Sequence, residues 1–253
     1  MCKIDSQAWQ QGQHQPQTLT LFSQLGTQVI DALAPQPQET ILDLGCGDGQ
    51  LSHQIEQYGA KVVGVDNNLA MVEAACEKGI EVFHQDGQSL NFQSQFDAVF
   101  SHASLHFMPN YHAALSGVYR SLKPGGRFVG ELGGVGNLAV VEDAIRAFFT
   151  LNPGLGQYQS PWFFPTQEQF YQLLVAHGFI VERCELLARP TLIKAGMRAW
   201  LNVFASDALV LIPVPDREAF LDQIEAMLKP QLYSPTLGWQ ADYMRIRFIA
   251  YKK

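Results

Sequence analysis

Short apolar runs alternate with amphipathic stretches from Thr40 to about Glu131. Runs rich in β-branched residues, such as TILDLG, KVVGVD and FDAVFSH, predict buried strands, and the segments between them repeat apolar positions at helical spacing. Right-handed crossovers through helices of this length place successive strands in parallel in one sheet. The pattern therefore predicts a doubly wound α/β fold, with helices on both faces of a mostly parallel, seven-stranded sheet.

The regular alternation ends after Gly133. Residues 134–165 include NPGLGQYQSPWFFP, which is too rich in Gly, Pro and aromatic residues for a regular element and predicts a lid loop. Residues 189–240 repeat apolar positions at helical spacing and predict a helical cap inserted before the last strand, DYMRIRFIAYKK. We expect a single domain over residues 1–253, with its core at about 23–133, 166–188 and 241–253.

Composition and charge narrow the range of partners. The chain has 253 residues, of which 47% are hydrophobic, and a net charge of -7, which disfavours binding to nucleic acid. No apolar run approaches the roughly 18 residues of a membrane helix, and the polar first residues do not resemble a secretory signal. The four cysteines form no CxxC pair and are expected to be reduced thiols. These features predict a cytoplasmic protein without nucleic-acid or membrane partners, which we expect to be a monomer or homodimer.

The stretch ILDLGCGDGQLS carries the first chemical signal. Gly45, Gly47 and Gly49 lie where the first core strand turns into a helix, which is where open α/β sheets bind ligands. A dinucleotide GxGxxG motif would need glycine where this chain has Gln, and the Lys of a phosphate-binding P-loop is missing. The acidic residues Asp43 and Asp48 favour a ligand with a cationic amino group over a phosphate. S-adenosylmethionine carries that ammonium group and a sulfonium.

At these residues the sequence resembles the class I S-adenosylmethionine-dependent methyltransferases. LDLGCGDG, VVGVDNN, FHQDGQSL, FDAVFSHASLHF and LKPGGRF match the family's motifs in order, each at a predicted strand end, between about Thr40 and Leu132. The resemblance implies S-adenosylmethionine as cofactor and S-adenosylhomocysteine as product. It places Asp66 near the ribose hydroxyls and Asp86 near the adenine amino group. The cofactor-binding residues that we expect are Asp43, Gly45, Cys46, Gly47, Gly49, Asp66, Asn67, Asp86, Gly87, Ser101 and His102.

Two histidines follow the fourth core strand. Methyl transfer depends mainly on alignment in a water-poor pocket, and a base is needed only when the acceptor atom carries a proton. His102 and His106 would lie near the methyl group, and we expect one of them to be the catalytic base, with His106 preferred. The alternative is that His106 packs at a helix start and His102 hydrogen-bonds to the backbone.

Within the class, the chain most resembles the trans-aconitate and malonyl-acyl-carrier-protein methyltransferases. SHASLHFMPN, FFPTQEQFYQLLVAHGFIVE and ADYMRIRF carry this likeness, which implies a small-molecule or carrier-bound acceptor methylated at a carboxylate or hydroxyl oxygen. A carboxylate would be held by an arginine fork, for which Arg198, Arg245 and Arg247 are candidates. Trp162 is a candidate for lining the acceptor pocket. No ligand spacing indicates a metal site.

Two further hypotheses remain open. The same motifs would be present in a protein that binds S-adenosylmethionine without turnover, as a sensor or a partner subunit. The polar segment before Thr20 is expected to fold over the cofactor through Trp9 and His14.

Overall fold

A single sheet forms the centre of the first compact unit in the computed structural model, which describes residues 3–4 and 26–253. Its strands are β1 (Lys3–Ile4), β2 (Thr40–Leu44), β3 (Lys61–Asp66), β4 (Glu81–His84), β5 (Phe96–His102), β6 (Leu122–Gly133), β7 (Phe179–Ala188) and β11 (Met244–Lys252). They are arranged in the order β1-β4-β3-β2-β5-β6-β11-β7. The strands from β1 through β6 in this order are parallel, and β11 is antiparallel to β6. The predicted doubly wound sheet is confirmed, and β1 adds a two-residue edge to the seven expected strands.

Helices cover both faces of this sheet. They are α1, described over residues 26–33, α2 (Gln50–Glu56), α3 (Leu69–Glu77), α4 (Tyr111–Ser121) and α6 (Gln167–Ala176). Side chains alternate along β2, so that Ile41 packs in a cluster with residues of α1 and α2 while Leu42 and Leu44 pack in a cluster with residues of α4 and α6. A strand buried on both faces reads as a continuous apolar run, which is how the sequence revealed it.

The second compact unit comprises Gly136–Trp162 and Ala188–Met244. It contains the helices α5 (Ala139–Leu151), α7 (Met197–Phe204), α8 (Ser206–Leu211) and α9 (Arg217–Leu232), and an antiparallel sheet of β8 (Thr191–Leu192), β10 (Gly238–Ala241) and β9 (Tyr233–Ser234). Phe148, Phe149 and Phe220 pack edge to face in its core.

This unit differs from the sequence-based expectation in two ways. The predicted lid loop at 134–165 contains the 13-residue helix α5, whose apolar positions recur at helical spacing but are followed closely by the Gly- and Pro-rich stretch. The predicted helical cap also contains three strands of two to four residues. Strands this short carry no recognisable alternation in the sequence.

Two predictions from composition can also be compared with the structure. Cys46 and Cys184 are free thiols, but Cys76 is disulfide-bonded, contrary to the expectation of four reduced cysteines. Among the helices described here, none has the length and apolar character required to cross a membrane.

Candidate active site

The three glycines of the β2–α2 turn all have positive φ angles, between 56° and 75°. A Cβ atom on Gly45 would lie 2.3 Å from the Cβ of Ser104, and one on Gly49 would lie 3.0 Å from the Cβ of Ala75. A Cβ atom on Gly47 would meet nothing within 4 Å. Two of the glycines therefore permit tight packing within the protein, and Gly47 is the one that borders open space where a ligand could approach the backbone.

Asp43 lies on the face of β2 that is turned towards α2. Its Oδ2 atom accepts a hydrogen bond of 2.6 Å from the Ser52 hydroxyl, and both residues are buried. Burial raises the pKa of Asp43, the bond from Ser52 opposes this effect and the nearby charge of Asp66 adds to it, which gives a pKa of about 7. Asp43 thus joins the strand to the helix that follows the glycines, and its direct contact with the cofactor stays a prediction.

Two carboxylates at the ends of β3 and β4 accept hydrogen bonds from the loops around them. Asp66 accepts one from the Gly47 amide (2.9 Å) at Oδ2 and one from the Asn68 amide (2.8 Å) at Oδ1. Asp86 accepts bonds from the backbone and side-chain nitrogens of Gln88, at 2.9 to 3.1 Å. A carboxylate oxygen has two acceptor positions, so these bonds fix both side chains while leaving capacity for further donors.

Other predicted cofactor residues have structural contacts. Burial raises the pKa of the Cys46 thiol well above its ordinary value, with the charges of Asp66 and Asp43 adding to the effect, so this thiol is protonated. The carbonyl oxygen of Asn67 lies 3.0 Å from Nε2 of His84. A Cβ atom on Gly87 would lie 2.7 Å from side-chain atoms of both Leu44 and Met108, which explains the need for glycine there.

Asp48 is paired with a cation of the protein itself. The ammonium group of Lys78 lies 2.6 Å from Oδ2 of Asp48 and also donates to its carbonyl oxygen at 2.8 Å. The charge of Asp48 is therefore already compensated within the protein. Of the two acidic residues of the turn, Asp48 no longer favours a cationic ligand.

Two serine hydroxyls attach the loop after β5 to the end of β2. Ser101 Oγ and Ser104 Oγ both donate to the Leu44 carbonyl oxygen, at 3.0 and 2.8 Å, and lie 2.8 Å from each other. Ser104 also lies against Gly45. Ser101 was a predicted cofactor-binding residue and Ser104 was not, although the SxxS spacing in SHAS was a visible signal.

A row of polar and charged side chains crosses the sheet next to this loop. His102 on β5 is in register with Glu131 on β6, and Glu131 is in register with Arg247 on β11. The Nε2 atom of His102 lies 3.8 Å from Oε1 of Glu131, while Nη2 of Arg247 donates to Oε2 at 2.8 Å. Glu131 was not among the predicted site residues because its partners lie on strands far apart in the sequence.

His106 is buried and packs against Phe107 and Phe164. Its Nδ1 atom accepts a hydrogen bond of 3.2 Å from the Gly133 amide, which makes Nε2 the protonated ring nitrogen. Burial, followed by the charges of Arg245 and His102, lowers the pKa of His106 well below its ordinary value. A neutral histidine whose single lone pair is already occupied is poorly suited to be a base, which argues against the preference for His106.

The predicted acceptor-binding residues lie in different places. Arg198, in the second unit, pairs with three carboxylates, those of Glu218, Asp222 and Glu225. Arg245 belongs to the first unit, is buried, and is in register with the last residue of β6. Trp162 belongs to the second unit, where its amide donates to Ser160 Oγ at 3.4 Å.

Some predictions for the site lie outside the part of the chain that can be compared. Trp9 and His14 are not among the described residues. Within residues 3–4 and 26–253, no group of three or more His, Cys, Asp or Glu side chains is arranged to hold a metal ion.

Comparison with known proteins agrees with this geometry. Residues 42–130 match the methyltransferase domain family. An uncharacterized methyltransferase of Schizosaccharomyces pombe is 30% identical over 248 residues, which covers 89% of this chain and 91% of that relative. The chain belongs to the class I S-adenosylmethionine-dependent methyltransferases.

The methyltransferase also has relatives with known acceptors, over shorter or more distant matches. Trans-aconitate 2-methyltransferase of Deinococcus radiodurans is 31% identical over 101 residues, covering 38% of this chain and 39% of that enzyme. Phosphoethanolamine N-methyltransferase 2 of Haemonchus contortus, solved with S-adenosylhomocysteine, has a TM-score of 0.58 at 21% identity and covers 91% of this chain and 52% of its own. The second likeness shows a shared fold.

The methyltransferase uses S-adenosylmethionine, which supplies an electrophilic methyl group on a sulfonium. The residues of the β2–α2 turn fit this molecule. Gly47 leaves open space beside the backbone, and Asp66, one strand away, carries a carboxylate, the kind of group that accepts hydrogen bonds from ribose hydroxyls. Both features lie at the carboxyl edge of the parallel strands.

Proposed function

We propose that the methyltransferase transfers a methyl group to an oxygen of a small-molecule or carrier-bound acceptor that carries a carboxylate. In this proposal Arg245 recognises the carboxylate, and the loops after β2, β3 and β4 hold the cofactor. The protein would act in the cytoplasm as a monomer or homodimer, without nucleic-acid or membrane partners.

The position and charge of Arg245 carry this proposal. Arg245 is only 5% exposed, and it is the second residue of the antiparallel strand β11, whose first residues lie beside the carboxyl end of β6. It lies close enough to His106 to lower the pKa of that residue, and His106 in turn follows β5. A buried guanidinium at this edge suits a planar, bidentate carboxylate, because its fork of donors matches the two oxygens.

The other two arginines bind carboxylates of the protein itself. Arg198 already pairs with three carboxylates, and Arg247 donates to Glu131 through both Nε and Nη2. The trans-aconitate 2-methyltransferase of D. radiodurans acts, by its name, on a carboxylate-bearing acceptor, and its matching segment supports the same acceptor class here.

The first experiment identifies the acceptor. The protein is incubated with a metabolite extract and methyl-labelled S-adenosylmethionine, and the products are analysed by mass spectrometry with the Asp66→Ala variant as blank. We expect a labelled, acidic product that is absent from the blank. A labelled product without any acidic group would contradict recognition of a carboxylate, and a protein that binds the cofactor but labels nothing would favour the binding-only alternative.

A second experiment tests Arg245 with the product from the first. Arg245→Gln should raise the KM for the acceptor roughly 10- to 100-fold, since one charged hydrogen-bonding partner contributes about 1.5–3 kcal/mol. The affinity for S-adenosylhomocysteine should not change. Arg198→Gln is the matched control, because it removes an arginine that is engaged within the second unit. Equal acceptor KM values for the two variants would refute the assignment.

A further inference from the structure

The buried carboxylate of Glu131 accepts hydrogen bonds from Arg247. Arg247 donates to Oε2 through Nε (3.0 Å) and Nη2 (2.8 Å), and Nη2 also donates to Gln28 Oε1 at 3.1 Å. Glu131 is 2% exposed, and the guanidinium of Arg247 places a positive charge beside its buried carboxylate. Two donors on one oxygen fix the plane of the carboxylate and direct its other oxygen, Oε1, towards β5.

His102 is the residue that this second oxygen faces. Its Nε2 atom lies 3.8 Å from Oε1, which is ion-pair distance for a protonated ring. His102, Glu131 and Arg247 share one face of the sheet, because they are neighbours in register on β5, β6 and β11. This face also carries Phe100 and Val129 of the cluster that packs on α1 and α2.

His102, the last residue of β5, and His106, in the loop that follows, therefore have different surroundings. The Nδ1 atom of His106 is occupied by a backbone amide, and its pKa is lowered by burial and by nearby positive charge. His102 has a fixed carboxylate beside it, which stabilises the imidazolium that forms when a histidine takes up a proton. Charged and titratable groups near His102 include Glu131 on β6 and His106, while Arg247 pairs with Glu131 and Arg245 acts electrostatically on His106.

We propose that Glu131 is a positioning residue that orients His102 as the general base, so that the methylated atom is a hydroxyl oxygen of the acceptor. This inference rests on the proposed function and specifies which oxygen of the acid-bearing acceptor reacts. A carboxylate oxygen needs no base, whereas a hydroxyl must lose its proton as it attacks. The new O–CH₃ bond forms as the S–CH₃ bond breaks, its electron pair stays on sulfur, and the hydroxyl proton passes to His102.

The chemical stability of the labelled product tests this inference without any variant. Methyl esters of carboxylates release labelled methanol in mild alkali, whereas methyl ethers do not. We expect the acidic product of the extract experiment to keep its label in alkali and to fragment as an O-methyl ether. Release of methanol would overturn the hydroxyl assignment and leave recognition of a carboxylate intact. Failure to form an acidic product would instead refute the proposed function.

Variants then test the role of Glu131, with the identified acceptor. Glu131→Gln should lower kcat about 100-fold, and the acid limb of the pH profile should move to lower pH, because His102 loses a stabilising negative charge and faces an uncompensated Arg247. Glu131→Asp should restore part of the rate. In a His102→Gln background, Glu131→Gln should have little further effect, as expected for a residue that acts through His102.

These measurements also separate positioning from folding. S-adenosylhomocysteine affinity is measured for each variant, and only variants that retain it are compared. A Glu131→Gln variant with normal cofactor affinity and an unmoved acid limb would contradict the proposal. Additive effects of the two substitutions would contradict it as well.

Discussion

The buried polar side chains of the two compact units differ in what they contact. In the second unit, Glu142 accepts hydrogen bonds from Tyr158 (3.0 Å) and Arg146 (2.6 Å), and the Trp200 indole donates to the Tyr243 hydroxyl. These groups satisfy one another within the unit, as buried polar groups must for stability.

In the first unit, buried polar groups collect at the carboxyl ends of the strands. Four of them lie near or just after the last residues of a parallel strand, and a fifth lies beside them on the antiparallel strand β11. The four are Asp43, Ser101, His106 and Glu131, and the fifth is Arg245. Asp43 accepts a bond from Ser52, Ser101 donates to the Leu44 carbonyl oxygen and His106 accepts a bond from the Gly133 amide, so these contacts join neighbouring elements at this edge. Burial alone therefore does not distinguish the two groups, and we expect functional roles for the buried residues at the common strand edge. Substitutions in the two units should therefore affect different measurements.

The largest effect is expected for Asp66→Ala in the first unit. This substitution removes the acceptor of the Gly47 amide and of the proposed ribose contacts, each charge-assisted bond contributing about 1.5–3 kcal/mol. The Kd for S-adenosylhomocysteine, measured by calorimetry, should rise roughly 100-fold or more. Asp222→Ala in the second unit, which removes an exposed partner of Arg198, should leave Kd unchanged. A change of less than threefold in Asp66→Ala would refute its role.

The converse effect is expected for Glu142→Ala in the second unit. It leaves the buried Tyr158 hydroxyl without its acceptor and should lower the free energy of unfolding by about 2 kcal/mol in denaturant titrations. Cofactor affinity should be retained. Glu142→Gln keeps an acceptor oxygen for Tyr158 and should cost less. If Glu142→Ala weakened cofactor binding without changing stability, the contrast between the units would fail.

An effect confined to a pH window is expected from Asp43. Its folded pKa of about 7 lies above the unfolded value near 3.8, so the folded protein binds more protons between these values. The free energy of unfolding of the cofactor-free protein should therefore fall as the pH rises from about 4 to 7, with a contribution of at most about 1.4 kcal/mol per pH unit. Asp43→Asn should remove this contribution in denaturant titrations at several pH values. Identical pH dependence in both proteins would contradict the raised pKa.

The smallest effect is expected for Arg198→Ala. Its partners Glu218 and Asp222 are exposed, and exposed ion pairs contribute only about 0–1 kcal/mol. Stability should change by less than about 1 kcal/mol, and the acceptor KM should stay at the wild-type value. A large rise in acceptor KM would restore Arg198 to the acceptor site and shift the proposed recognition from Arg245 to the second unit.

The sequence by itself determined the order of the core elements and the cofactor turn. Continuous apolar runs such as TILDL predict doubly buried strands, and the residues that end β2, β3 and β4 are local in the chain. Gly45, Asp66 and Asp86 could be found for this reason, because the carboxyl ends of parallel strands meet at one edge whatever their exact register.

Only the tertiary structure decided which charged residues meet. His102, Glu131 and Arg247 form a row because β11 returns antiparallel beside β6 in one particular register, and a shift of one residue would place Arg247 on the opposite face. The same pairing brings Arg245 to the strand edge, and the same packing gives the Nδ1 atom of His106 to a backbone amide. Register between strands more than 100 residues apart is set by the packing of the whole core, and local sequence pattern carries no record of it.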